Sequence, residues 1–358
     1  MPDSARAFAF ATVTSQGYVD QTAGLLLNLR EYYPDTLVVV CALDEDAAAA
    51  FGKIDDAHLV TVTAETVWGA DCWRNMTARM TRAERAFATK SATCAWTLEM
   101  QARSLLLLDS DLLFLDRTDD IVDLLTDHPA VLVTGRHGVD EWSKAGRFGL
   151  FSAGVLGFSH STLREVAIWK AACFNACTAI PLSGIYYEQK YLDPFLNLPG
   201  VALVHDPGIN ISQTFLKLLA PYQDDRGKWR VKGGTQIRIY HASRSSDDSF
   251  PLFQDKADWN RRGLEMMGLA PDDGAARQAP GLESGSAKLQ RRLALGRRLT
   301  NLVDGLPGFL LRVMEIYRTL TLRDLPFKAR WRETFSRKKD LARALHEDAG
   351  RHQGSSLQ

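Results

Sequence analysis

Residues 103–116 read Arg103-Ser104-Leu105-Leu106-Leu107-Leu108-Asp109-Ser110-Asp111-Leu112-Leu113-Phe114-Leu115-Asp116. Leu105 to Leu108 form an unbroken apolar run, the pattern of a strand covered on both faces. The run halts at Asp109-Ser110-Asp111 and resumes at once with Leu112 to Leu115. Two carboxylates one residue apart at the mouth of a buried strand need a partner to stay ionised. A divalent cation is one such partner, because hard oxygen ligands suit Mg2+ or Mn2+, which also take up phosphate oxygens. The competing reading is a surface turn whose aspartates face water. Apolar chain on both sides weighs against that.

Outward from this strand the chain alternates. Phe8 to Val13 is a short apolar run closed by the turn Thr14-Ser15-Gln16-Gly17. From Tyr18 to Tyr33 the spacing of Val19, Ala23, Leu26 and Leu27 predicts an amphipathic helix, with Arg30 the one polar interruption of its apolar face. Leu37 to Leu43 reads as a second buried strand ending at Asp44-Glu45-Asp46, Ala47 to Phe51 as the start of a helix, and His58 to Val62 as a third strand. Strand–helix–strand alternation at this spacing predicts an α/β fold with a mostly parallel sheet flanked by helices. In such sheets ligands sit beyond the carboxyl ends of the strands, where Thr12, Thr14, Asp44 and Asp109 all fall.

Thr81 to Met100 reads as a long helix opened by the capping box Thr81-Arg82-Ala83-Glu84, and it carries Phe87, Lys90 and Trp96. Lys90 is read equally as an exposed helix lysine and as a partner for the aspartates or a phosphate. After the aspartates, Ile121 to Thr126 suggests a short helix and Ala130 to Thr134 a strand. Phe151 to Phe158 is a tight strand whose Gly154 and Gly157 permit close approach to the backbone. Leu163 to Ala176 is helical, Tyr186 to Asp193 opens another helix, Val201 to His205 is a strand closed by Asp206-Pro207-Gly208, and Ile237 to Tyr240 runs into His241-Ala242-Ser243-Arg244. His241 is read equally as a polar strand end and as a third metal ligand beside the aspartates.

The 358 residues carry 43 Lys+Arg and 43 Asp+Glu, but 16 of the cations and only 7 of the acids lie from Lys288 onward. The front is therefore acidic and the back basic. Composition divides the chain into a main domain over 1–250, a linker over 251–287 marked by Pro271-Asp272-Asp273-Gly274 and Pro280-Gly281, a basic amphipathic helical tail over 288–345, and a disordered end over 346–358. Cations threaded between Leu293, Leu299, Leu302, Phe309, Leu310 and Ile316 fit a helix on an anionic membrane surface; a cap packed on the acidic domain is the alternative. No recognised RNA motif accompanies them, so nucleic acid is not expected. The five scattered cysteines are expected to be buried thiols. No signal segment and no apolar run of about 18 residues is found, which predicts a cytoplasmic protein, peripheral on the inner face of a membrane where the tail docks. The sequons at Asn75 and Asn210 carry no weight in that setting.

Six blocks together resemble the retaining GT-A nucleotide-sugar glycosyltransferases of the glycogenin and lipopolysaccharide galactosyltransferase type (family 8-like). Phe8 to Tyr18 is similar to that family's first strand and nucleotide loop, Phe87-x-x-Lys90 to its helix before the metal strand, and Leu108-Asp109-Ser110-Asp111 to the metal strand. Ser152-Ala153-Gly154-Val155 resembles the family's Asn-Ala-Gly-Val, Glu188-Gln189 its Asp-Gln, and His241-x-Ser243 its third metal element. The departures are Ser152 for Asn, Glu188 for Asp, and the missing Lys-Pro-Trp after the histidine, for which Arg244 is the candidate substitute.

The resemblance implies an enzyme that moves a sugar from a nucleotide-diphosphate sugar, expected to be UDP-linked, to a glycan or glycolipid acceptor. Asp109, Asp111 and His241 would hold Mn2+ or Mg2+. Thr12, Thr14, Tyr18, Asp44, Lys90 and Ser110 would serve the nucleotide. Ala153, Gly154, Asp193, Asp206 and Arg244 would meet sugar or acceptor. Glu188 and Gln189 would sit at the reacting sugar, with front-face attack in an ion-pair-like transition state. Two alternatives stay open: a nucleotidyltransferase or pyrophosphorylase, although Thr14-Ser15-Gln16-Gly17-Tyr18 has one glycine and no cation, and an inactive scaffold that docks on membranes.

Overall fold

The computed structural model describes residues 6–134, 149–178, 187–212, 216, 219–242 and 251–269. The chain falls into two compact units, Met1–Gly296 and Arg297–Gln358, and every described residue belongs to the first. The basic tail, the end segment, Arg244, Tyr186 and the linker beyond residue 269 lie outside the described residues.

The first half follows the predicted alternation. Strand β1 (Arg6–Thr14) leads through a single turn of 3-10 helix into α1 (Val19–Tyr32), then β2 (Leu37–Ala42), α2 (Glu45–Phe51) and β3 (Leu59–Thr63). Arg30, the polar interruption of α1, donates to Asp56 at 2.7 Å and to the carbonyls of Thr36 (2.7 Å) and His58 (2.9 Å), tying the helix to the entries of β2 and β3. Two helices not anticipated from sequence follow, α3 (Ala64–Trp68) and α4 (Ala70–Arg79), separated at Gly69. Helix α5 (Arg82–Met100) opens with the capping box expected at Thr81 and Glu84, and delivers the chain into β4 (Ala102–Leu108).

After the aspartates come β5 (Leu112–Phe114), α6 (Asp119–Asp127), β6 (Ala130–Thr134), β7 (Phe151–Ser159) and α7 (Leu163–Asn175). A 3-10 helix at Gln189–Asn197 precedes β8 (Ala202–Val204), β9 (Ile211–Ser212), the small hairpin of β10 (Tyr222–Gln223) and β11 (Trp229–Arg230), β12 (Ile239–His241) and α8 (Pro251–Met266).

The main sheet has seven strands in the order β3-β2-β1-β4-β7-β6-β8, and β7 alone runs against the rest. Its strands are apolar on both faces because both are covered. Ala9, Ala11, Leu105 and Leu107 point into one core with α3, α4, α5 and α7; Phe10, Leu106 and Leu108 point into a second with α1, α2 and α6. A smaller sheet, β5-β12-β9, begins where β4 stops and packs on a third cluster that includes Leu113, Tyr240 and Leu252.

The expected linker over 251–287 is corrected in its first part, because Pro251–Met266 is helix α8 laid along α1. The contact is close to backbone-on-backbone: a Cβ on Gly263 would lie 2.4 Å from the carbonyl carbon of Ala23, and one on Gly24 would lie 2.4 Å from Asn260 Oδ1. The charged residues Asp255, Asp258, Arg261, Arg262 and Glu265 gave this stretch a polar composition. Its inner face is built from Leu252, Lys256 and Leu264, and the close crossing leaves room only for glycine at 263. Four cysteines are buried thiols as expected, whereas Cys72 is exposed on α4, where most side chains face water.

Candidate metal and nucleotide-sugar site

Parallel pairing of β1 with β2 and with β4 sets Thr12 beside Leu108 and Thr14 beside Ala42, so the predicted strand ends share one edge of the sheet. At that edge β4 stops. The Asp109 N–H donates to the Gly154 carbonyl of β7 at 2.9 Å, holding the turn against the tight glycine strand. Beyond Asp111 the chain enters β5, which pairs antiparallel with β12 so that His241 lies opposite Leu112. The Asp111 carbonyl also accepts from Ala242 N–H at 3.0 Å.

Strand pairing therefore brings a histidine 130 residues downstream to the acidic pair. One donor atom each from Asp109, Asp111 and His241 lies within 4.8 Å of the others. His241 Nε2 is 3.1 Å from Asp111 Oδ1 and 3.8 Å from Asp109 Oδ2. Two carboxylates and an imidazole are a donor set that fits Mn2+ or Mg2+, with the nitrogen favouring the softer Mn2+. Burial opposes ionisation of Asp111, but His241, with Lys256 and Lys90 further off, holds its carboxyl down to about 2. Burial would lower the imidazole of His241, yet Asp111 and Asp109 raise it above its ordinary value.

Lys90 comes from the middle of α5 and is buried, which decides between its two sequence readings. Its Nζ is 2.5 Å from Asp109 Oδ1 and 3.0 Å from Glu188 Oε1, and lies 3.5 Å from the Ala153 carbonyl. Burial works against its charge, but the carboxylates of Asp109 and Glu188 hold it well above the ordinary lysine range. Glu188 is 2% exposed and burial raises its pKa; its Oε2 is buried with no hydrogen-bond partner. Trp169 Nε1 donates to the Glu188 carbonyl at 3.1 Å and fixes the backbone there. Next to it, Gln189 Oε1 accepts from the Ala153 N–H at 3.5 Å.

Two residues that sequence reading passed over complete the surroundings. Asn210 precedes β9, the neighbour of β12, and its Oδ1 accepts from His241 Nδ1 at 2.9 Å while its Nδ2 donates to Ser152 Oγ at 2.5 Å. The hydroxyl that replaces the expected Asn at 152 is thus engaged within the protein. Gly154 leaves room for this amide, since a Cβ there would fall 2.7 Å from Asn210 Oδ1 and push it aside. Lys256, inside the supposed linker, is 3% exposed and reaches behind the aspartate turn. It donates to the carbonyls of Leu112 (2.8 Å), Gln21 (3.1 Å) and Ser110 (3.5 Å), and burial lowers its pKa to about 8 against the pull of Asp111 and Asp20. Buried lysines are rare enough that one would have been legible only with α8 already placed.

Thr12 Oγ1 is buried without a partner, and Thr14 Oγ1 accepts from Thr22 at 2.7 Å. Tyr18 is 40% exposed at the head of α1. Asp44 caps α2 through Ala47 N–H (3.0 Å), accepts from Gln16 N–H at 3.0 and 3.1 Å and pairs with Arg82 at 2.7 Å, so its carboxylate braces the loop after β1. Asp193 accepts from Leu150 N–H at 2.8 Å and pairs with Lys190. Asp206 accepts from Gly208 N–H at 2.7 Å and pairs with Arg238 at 2.7 Å, contacts that build its own turn. Ser110 is buried at the centre of the turn.

What fold and site define together is an α/β chain that gathers two carboxylates and an imidazole, a donor set of metal-ligating type, at the carboxyl edge of its sheet. No family model matches the chain, and no curated protein does. Among solved structures it is similar to the galactosyltransferase LgtC in complex with donor and acceptor sugar analogs, at 16% identity and a TM-score of 0.46, over 75% of this chain and 99% of that one. It is similar to mouse xyloside xylosyltransferase 1 at 11% identity and a TM-score of 0.42, covering 66% and 98% of the two chains. The bifunctional glycosyltransferase WbbM matches at 12% identity and a TM-score of 0.46, with 78% of this chain on 53% of that one. What this site can do is read from its own side chains.

Proposed function

We propose that this protein is a metal-dependent glycosyltransferase that takes a sugar from a nucleotide-diphosphate donor, a UDP-sugar, and hands it to a glycan or glycolipid acceptor. The observation that carries the reading is the convergence of Asp109, Asp111 and His241 at the carboxyl edge of a parallel sheet. Those three would hold Mn2+ or Mg2+, which when bound supplies positive charge against the departing diphosphate. Thr12 and Thr14 at the end of β1 and Tyr18 at the head of α1 would receive the nucleoside, with the exposed ring of Tyr18 available to the base.

Glu188 and Gln189 would meet the sugar. The unpartnered Oε2 of Glu188 is a buried acceptor that a sugar hydroxyl would satisfy, and Lys90 keeps the carboxylate beside it neutralised. The loop after β1 carries no cation at residues 14–18, which sets the nucleotidyltransferase reading lower.

A panel of UDP-sugars incubated with Mn2+ should show slow UDP release without acceptor. Asp109→Asn combined with Asp111→Asn should abolish it; release unchanged in that double variant would remove the metal assignment. The glycolipid half of the reading is supported by the basic, apolar-threaded sequence of 288–345. Among the described residues no helix is long and apolar enough to cross a membrane. Flotation with anionic liposomes should be lost on neutralising Arg291, Arg292, Arg297 and Arg298 together, and equal flotation would end the membrane proposal.

A further inference from the structure

We infer that Asn210 is a positioning residue for the cation centre: it fixes the imidazole of His241 in the form that presents a bare Nε2 to the metal. The inference rests on the metal reading of the acidic pair, not on the identity of the donor. An imidazole that ligates through one nitrogen must carry its proton on the other, and that N–H needs an acceptor.

Asn210 Oδ1 stands 2.9 Å from Nδ1, on the side of the ring away from Asp109 and Asp111. The amide is also tied down at its other end. Its Nδ2 is 2.5 Å from Ser152 Oγ, whose position is held in turn by the Gly154 N–H at 3.3 Å. Gly154 faces the amide, where a Cβ would fall 2.7 Å from Oδ1 and 3.0 Å from Nδ2.

The backbone supports the same assignment. Asn210 has φ +60, a left-handed conformation that asparagine tolerates better than other non-glycine residues. From that conformation its side chain enters between β7 and β12, the strands that carry Ser152 and His241. It is 7% exposed, so water does not compete for the bond. The Asn210-Ile211-Ser212 sequence, which reads as a sequon, is here part of the core of the site.

Asn210→Gly keeps the left-handed backbone available and deletes only the side chain. Mn2+ titration followed by electron paramagnetic resonance should show affinity down about 10- to 100-fold, the usual consequence of removing an outer-shell partner. In the protein loaded with diamagnetic Cd2+, 15N-histidine spectra should show a slowly exchanging Nδ1–H on His241 that Asn210→Gly loses. Asn210→Asp, which retains an acceptor opposite Nδ1 and also tolerates left-handed backbone, should recover that signal. Wild-type Mn2+ affinity in Asn210→Gly, or metal on Nδ1 in the native protein, overturns the inference. Mn2+ binding that depends on Asn210 without any turnover of nucleotide sugars would leave it standing and sink the proposed activity instead.

Discussion

Replacing Lys90 by Met tests the charge arrangement at its tightest point. The ammonium lies 2.5 Å from Asp109 and 3.0 Å from Glu188, and the side chains of Lys90 and Glu188 are 9% and 2% exposed. Met matches the stem, so the packing against Phe87, whose ring lies 5.0 Å from Nζ, is largely kept. What disappears is the positive charge between two carboxylates. Breaking a buried pair by removing one partner costs about 3–5 kcal/mol. Glu188 limits the loss, because burial already raises its pKa and the absence of Lys90 raises it further, so it can take up a proton.

That escape fixes the sign of the pH dependence. A carboxyl whose folded pKa exceeds its unfolded value of 4.5 binds more protons in the native state above that pH. The stability deficit of Lys90→Met should therefore be smallest near the unfolded pKa and grow as pH rises from there. Urea unfolding of the metal-free proteins across that range measures it. Adding Mn2+ should stabilise the variant more than the native protein, since Asp109 no longer has an ammonium on Oδ1 to compete with the ion. A deficit under about 1 kcal/mol at neutral pH, or one that shrinks as pH rises, would refute the buried-pair account.

Four further outcomes are expected. Gly263→Ala puts a Cβ 2.4 Å from the Ala23 carbonyl carbon, so α8 must shift from α1; overpacking of this kind costs about 1–3 kcal/mol, read by urea unfolding. Gly154→Ala puts a Cβ 2.7 Å from Asn210 Oδ1, so the amide must shift, and Mn2+ binding, measured calorimetrically, should weaken with UDP itself less affected. The raised pKa of His241 makes the metal compete with a proton, so Mn2+ affinity should climb by about tenfold per pH unit and level off above the folded value. In the metal-free protein the same shift gives stability that is complete below the unfolded value of 6.5 and is lost as pH rises through the folded one.

The sheet was legible where the chain is locally consistent. Leu37 to Ala42 and Leu105 to Leu108 are apolar without interruption because both faces of those strands are covered, and alternate residues enter different cores. The capping box at Thr81 is a four-residue signal that needs no tertiary information. Helices α3 and α4 were less visible. Most of α4 faces solvent and only Met76 is buried in it, so no apolar stripe marks the element. The small sheet β5-β12-β9 was invisible as a sheet, since its strands have three, three and two residues and pair across the sequence.

The acidic pair could be read from sequence, but not the cations that make it tolerable. Lys90 and Glu188 are 98 residues apart, and Lys256 lies 146 residues from the Ser110 carbonyl it faces. A lysine on a helix reads as solvated in any local window, because exposure is its usual state. Burying one is favourable only where negative charge or carbonyl oxygens converge on it, and that convergence exists only after folding. Here two lysines approach one aspartate turn from opposite sides. Lys90 pairs with a candidate ligand, whereas Lys256 donates to the carbonyls of Ser110 in the turn, Leu112 in β5 and Gln21 in α1. A divalent ion at this site would compete with Lys90 for Asp109 and would leave the contacts of Lys256 intact. On the proposed metal reading the first lysine would hold the place of the ion, and the second holds the shape of the turn that would receive it.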